Sequence, residues 1–166
     1  SKRPILMVGT GAFRSGAQAA LIRFSEGFGV PFVVPIWDRG IVETPHPNFM
    51  GVIGAASGEP RFLEDADLVI LAGADIDYRC GFLAPPKVAP GICVIRVGSD
   101  VGQPAKGTQP ATTLAGDVAM ILDQLAEASR KDPFGHVDWI RLCRKRLAEF
   151  RRPWLGGPVH RKIRTG

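Results

Sequence analysis

The sequence predicts an α/β fold: a doubly wound, mostly parallel sheet of five or six strands with helices on both faces, Rossmann-like in plan. Three observations predict it. Short apolar runs such as ILMV, LVILA and ICVIRV alternate with amphipathic stretches along the chain. The segment Pro4–Gly29 reads as strand, glycine turn and helix, and Val30–Val34 then supplies a parallel partner strand. Finally, 166 residues with 45% hydrophobic and 22% charged side chains suit one ordinary globular core.

The first unit carries the clearest signals. Ile5 to Val8 form an apolar run of the kind covered on both faces. Gly9 and Gly11 open the turn after it. Ser15 and Gln18 have capping-box spacing, which predicts a helix beginning near Ser15. Ala17, Ala20, Leu21, Phe24 and Phe28 give it one apolar face, and Gly27 and Gly29 can end it.

Pro35 to Phe49 is rich in breakers and reads as loop; Gly51, Gly54 and Gly58 then punctuate GVIGAASG. Glu59-Pro60 predicts the start of a short helix with Phe62, Leu63 and Ala66 inward. Leu68–Ala72 is the plainest buried strand, closed by Gly73. Ala74–Pro90 reads as loop, Ile92–Val97 as strand, and Thr112–Leu114 as a last short strand. Asp117 is the expected N-cap of a helix with Val118, Ile121, Leu122 and Leu125 toward the core.

Asp138–Phe150 predicts an amphipathic helix with Trp139, Leu142, Cys143, Leu147 and Phe150 near one face, stopped by Pro153. The net charge of +5 is concentrated here. Residues 1–137 carry −2 and residues 138–166 carry +7. The expected division is therefore a central domain over 1–132 and a basic helix with linker tail over 133–166. The tail is expected to bind polyanions weakly and without sequence preference, because the aromatics of its helix lie on the packing face.

Several chemistries are excluded. Cys80, Cys93 and Cys143 are dispersed and odd in number, so neither a disulfide framework nor a metal-ligand pair is read from them. His46, His136 and His160 lack partners at catalytic or metal spacing. Asp65, Asp67, Asp75 and Asp77 flank one strand, as aspartates at element ends commonly do. No apolar run reaches membrane-spanning length and no signal-peptide pattern is present, so a cytoplasmic protein without membrane contact is expected. Gly9-Thr10-Gly11 begins like a dinucleotide fingerprint, but Arg14 holds the third glycine position and Asp38 stands beyond Ile36 and Trp37 rather than at the strand end. A standard NAD site is not expected.

Five segments in order, RPILMVGTGAFRSGA, the helix ending in GVP, HPNFMGVIG, DADLVILAGADIDYR and GDVAMIL, resemble the central domain of thiamine-diphosphate-dependent enzymes of the acetolactate synthase, benzoylformate decarboxylase and oxalyl-CoA decarboxylase type. The resemblance runs from Arg3 to about Leu125. It implies a non-catalytic scaffold domain, with thiamine diphosphate and Mg held by flanking domains of an intact, oligomeric parent. No Gly-Asp-Gly motif occurs here, so no such cofactor is expected in the chain alone, nor any catalytic or metal-ligating residue of its own. The resemblance further implies a possible adenine-nucleotide site, for ADP or FAD, at Gly11, Arg14, Gly51, Gly54, Gly73, Arg79 and Asp117. Against FAD, the chain has Ala56 where flavin-binding members carry histidine and Asp75 where they carry arginine. The alternatives are a freestanding nucleotide-binding protein with a sirtuin-like fold, which lacks the expected zinc cysteines, and a nucleic-acid module using the basic tail.

Overall fold

Six strands form one parallel sheet in the computed structural model, which describes residues 1–38, 41–42, 45–56, 58–100, 102, 106–129 and 135–155. They are β1 (Pro4–Val8), β2 (Phe32–Pro35), β3 (Phe49–Ile53), β4 (Leu68–Ala72), β5 (Cys93–Gly98) and β6 (Thr112–Ala115). The order across the sheet is β3-β2-β1-β4-β5-β6, and every neighbouring pair is parallel. Four helices accompany it: α1 (Thr10–Arg14), α2 (Gln18–Phe28), α3 (Val118–Ser129) and α4 (Val137–Leu155).

Both sheet faces are covered, which is why β1 is buried at all five positions. The two-residue alternation of a strand sends Leu6 and Val8 to one face and Ile5 and Met7 to the other. The first face packs on α2, through Leu21 and Phe24, and on α3, through Val118 and Leu122. The second is covered by irregular segments carrying Phe62, Leu63 and Leu83, and by α4. Trp139 and Cys143 of α4 are buried in that cluster, and the indole Nε1 donates to the Pro4 carbonyl at 2.8 Å. The basic helix thus docks on the sheet, while the expected boundary near residue 132 lies outside the described residues.

Several local expectations are corrected. The first helix does not begin at Ser15. Short α1 starts at Thr10, the chain breaks at Ser15–Ala17 with Gly16 at φ +62°, and α2 begins at Gln18. The Ser15 hydroxyl donates back to the Ala12 carbonyl at 3.1 Å, so it closes α1 instead of capping α2. Gly29 ends α2 in the left-handed conformation, as a C-terminal glycine should. The loop reading of 35–49 hid β3, an edge strand interrupted by Gly51 and irregular in register against β2. No helix forms at Glu59-Pro60: the Glu59 carboxylate is drawn away, accepting from Gly54 N and pairing with Lys87. Phe62, Leu63 and Ala66 are buried all the same. A short 3-10 segment, Tyr78–Leu83, occupies the loop after β4. Pro153 does not stop α4, which continues to Leu155; in a last exposed turn, water can replace the one missing backbone bond.

Candidate nucleotide cleft

The strand order reverses direction between β1 and β4, and the loops leaving their carboxyl ends diverge there. Parallel α/β sheets place ligands at such a point. The cleft that results is about 890 Å³. Thr10, Gly11 and Arg14 line it from the β1 exit, Asp38 from the β2 exit and Asp75 from the β4 exit. Arg96, Asp100 and Asp117 line the opposite wall, from β5 and the start of α3.

Of the seven residues expected at a nucleotide site, Gly11, Arg14, Gly73 and Asp117 line this cleft; Gly51, Gly54 and Arg79 do not. Gly51, at φ +95°, faces Leu147 and Arg151 of α4. A Cβ on Gly54 would lie 2.6 Å from the Arg79 carbonyl oxygen, so this glycine serves a backbone contact. Arg79 is turned inward with its side chain 12% exposed. Its Nη1 reaches Asp38 at 2.9 Å and the Ile36 carbonyl at 3.1 Å, and its Nη2 reaches Asp77 at 2.8 Å. Bonding to Asp77, against the opposing effect of burial, and then to Asp38 holds the guanidinium above its ordinary pKa.

The glycine turn has its own accounting. Gly9 N donates to Ala72 O at 3.0 Å, Gly11 N to Gly73 O at 2.9 Å, and Ala12 N to Gly9 O at 3.1 Å. A Cβ on Gly11 would lie 2.8 Å from Gly73 Cα, one on Gly9 would collide with the Gly73 carbonyl, and one on Gly73 with Ala12 N. The glycines let the β1 and β4 exits cross, and the crossing uses amides that a phosphate would need. The N-terminus of α3 is likewise engaged: Asp117 Oδ1 accepts from Met120 N at 2.9 Å, as the N-cap reading expected.

Two residues of the cleft were missed. Asp38 was set aside as lying beyond the strand end, yet it folds over the turn, accepting from Thr10 Oγ1 at 2.7 Å. Arg96 sits inside an apolar strand, itself a signal that a buried charge needs a partner. Its side chain is 11% exposed, its Nη2 bonds Asp75 at 2.9 Å and its Nη1 bonds the Gly102 carbonyl. Asp75, which looked like an unopposed negative charge, is therefore paired.

Elsewhere the titratable groups are structural. Burial raises the Cys80 thiol and pushes Cys143 up to about 12, which disfavours a thiolate. His46 Nε2 lies 3.2 Å from Glu26, and His136 bridges the carbonyls of Phe28 and Ser1 at 2.9 and 3.2 Å; His160 lies outside the described residues. Among the described residues no group of three or more His, Cys, Asp or Glu is placed to hold a metal ion. No helix among them is long and apolar enough to cross a membrane.

Residues 1–125 match the family model for the thiamine pyrophosphate enzyme, central domain. The chain belongs to that family. It is 27% identical over 150 residues to human 2-hydroxyacyl-CoA lyase 1, covering 89% of this chain and 25% of that protein. It is 31% identical over 133 residues to benzoylformate decarboxylase of Pseudomonas aeruginosa, covering 78% and 25%. Acetolactate synthase large subunit IlvG of Mycobacterium tuberculosis is 28% identical over 141 residues, covering 84% and 24%. A solved structure of a proposed thiamin diphosphate-dependent enzyme from Mycobacterium smegmatis superposes with a TM-score of 0.62 at 26% identity, over 76% of this chain and 24% of that one. The chain thus spans about a quarter of the length of the curated relatives it matches.

Membership implies thiamine diphosphate in intact enzymes of the family. The residues of this central domain do not fit that cofactor. Its nearest approach to Gly-Asp-Gly is Gly116-Asp117-Val118, where the aspartate is committed to capping α3. A flavin dinucleotide fits little better, since Arg79 is locked in ion pairs away from the cleft and the amides of Gly9, Gly11 and Ala12 are taken.

Proposed function

We propose that this chain is the central, non-catalytic scaffold domain of a larger thiamine-diphosphate-dependent decarboxylase or carboligase. The observation that carries the reading is the family match over 125 residues combined with coverage of only a quarter of each relative. The chemistry would then be lyase or transferase chemistry performed in flanking domains, which supply thiamine diphosphate and Mg. Those domains are the chain's principal partners, in a homo-oligomeric cytoplasmic enzyme. Sequencing the complete reading frame tests this. Roughly three domains of this size are expected, and a frame ending at Gly166 would overturn it.

For the cleft itself we propose an adenine nucleotide as ligand, ADP ahead of FAD. Supporting this are its position at the switch point, its volume, and Arg14 at its rim. ADP makes the smaller demand, since Ala56 and Asp75 replace residues that flavin-binding members use. Titration of the chain with each ligand, repeated on Arg14→Ala, tests the proposal. Binding that survives unchanged in the variant removes Arg14 from the site.

A further inference from the structure

We infer that the cleft recognises the nucleoside end of its ligand and that each added phosphate weakens binding. The inference rests on the adenine reading above and deepens it. The sequence suggested a phosphate cradle at the glycine turn. In the folded chain the amides of Gly9, Gly11 and Ala12 are bonded within the protein, and the first turn of α3 is capped by a carboxylate.

The charges point the same way. Among the described residues lining the cleft, four carboxylates, Asp38, Asp75, Asp100 and Asp117, face two guanidiniums, Arg14 and Arg96. Arg96 is neutralised by Asp75. Arg14 alone would have to offset a diphosphate while Asp100 and Asp117 repel it.

A hydroxyl-bearing ligand meets the opposite situation. Asp38 is held in place by Thr10 and by Arg79, both of which bond its Oδ1. That leaves Oδ2 to accept from a ligand. A carboxylate beyond the second strand, reaching over the first turn, is the arrangement that binds a ribose diol in sheets of this order. Asp38 therefore serves as the ribose acceptor, fixed by two neighbours before any ligand arrives.

The experiment is a calorimetric titration of the chain with adenosine, AMP, ADP, FAD and 2′,3′-dideoxyadenosine at low ionic strength. Adenosine is expected to bind most tightly among the first four, with affinity falling about threefold per added negative charge. Added salt should narrow these differences. Asp100→Asn should narrow the gap between adenosine and ADP by a similar factor. Dideoxyadenosine should bind about tenfold more weakly than adenosine, having no diol for Asp38. ADP or FAD binding more tightly than adenosine would overturn the inference while sparing the adenine reading. Equal binding of dideoxyadenosine would overturn the role of Asp38. Saturable binding of none of the five would overturn both the inference and the adenine reading, leaving the scaffold role untouched.

Discussion

Arg79 ties three exits of the sheet together with one side chain. Through Asp38 it reaches Thr10 after β1, through the Ile36 carbonyl it reaches the end of β2, and through Asp77 it anchors its own loop after β4. Arg79→Ala leaves Asp38, 11% exposed, without its cation. The expected cost is about 3 kcal/mol in urea unfolding, and Arg79→Lys should recover little of it because an ammonium cannot reproduce the planar fork. Asp67 gives a pH signature. Burial raises its carboxyl, but hydrogen bonds from the Ser1 hydroxyl and the Lys2 and Arg3 amides outweigh that and bring it below its ordinary 3.8. A carboxylate depressed by folding stabilises the native state above its unfolded pKa, and that contribution disappears as pH falls through the folded value. The urea midpoint should therefore drop on acidification below pH 3.8, and Asp67→Asn should flatten that part of the profile. The three thiols should separate as well. Iodoacetamide at pH 8 is expected to modify exposed Cys93 and to spare buried Cys80 and Cys143 until denaturant is added. Such roles are hard to read in sequence: Asp38 and Arg79 lie 41 positions apart, and only the fold decides that they neutralise each other rather than serve a ligand.

At the scale of elements, α4 is the member whose importance the sequence understated. The family match ends at residue 125, yet Trp139, Cys143 and Leu147 close the second apolar face of the sheet. Trp139→Ala should cost about 4 kcal/mol, read by thermal or urea unfolding. Deletion of residues 133–166 should expose that face and raise binding of an apolar dye. A truncated chain as stable as the full one would show the docking to be dispensable. Asp117→Ala should cost about 1 kcal/mol through loss of the α3 cap. The strands β1, β4 and β5 were legible because a strand buried on both sides must be apolar at nearly every position. Edge strand β3 was not, since Gly51 and the preceding prolines imitate a loop. The break between α1 and α2 was also hidden. Ser15 and Gln18 satisfy a capping pattern, but the hydroxyl closes the turn behind it.

For the whole molecule, the reading as a domain without the catalytic parts has a direct test. Thiamine diphosphate with magnesium should give no saturable heat on titration into the chain, and a clear binding isotherm would sink that reading. The order of strands was not legible from the apolar runs alone, because they do not say which strand neighbours which. The carboxyl-end cleft follows from that order. Its chemistry follows from what the exits do to one another where they cross. Gly9, Gly11 and Gly73 have no room for a side chain because backbone from the other exit occupies the space. The glycine pattern is therefore information about chain crossing. A motif search keyed to those glycines would select this sequence whether or not its cleft holds a ligand. Screens for cofactor sites in parallel sheets would separate the two cases better by asking which amides at the turn remain unbonded.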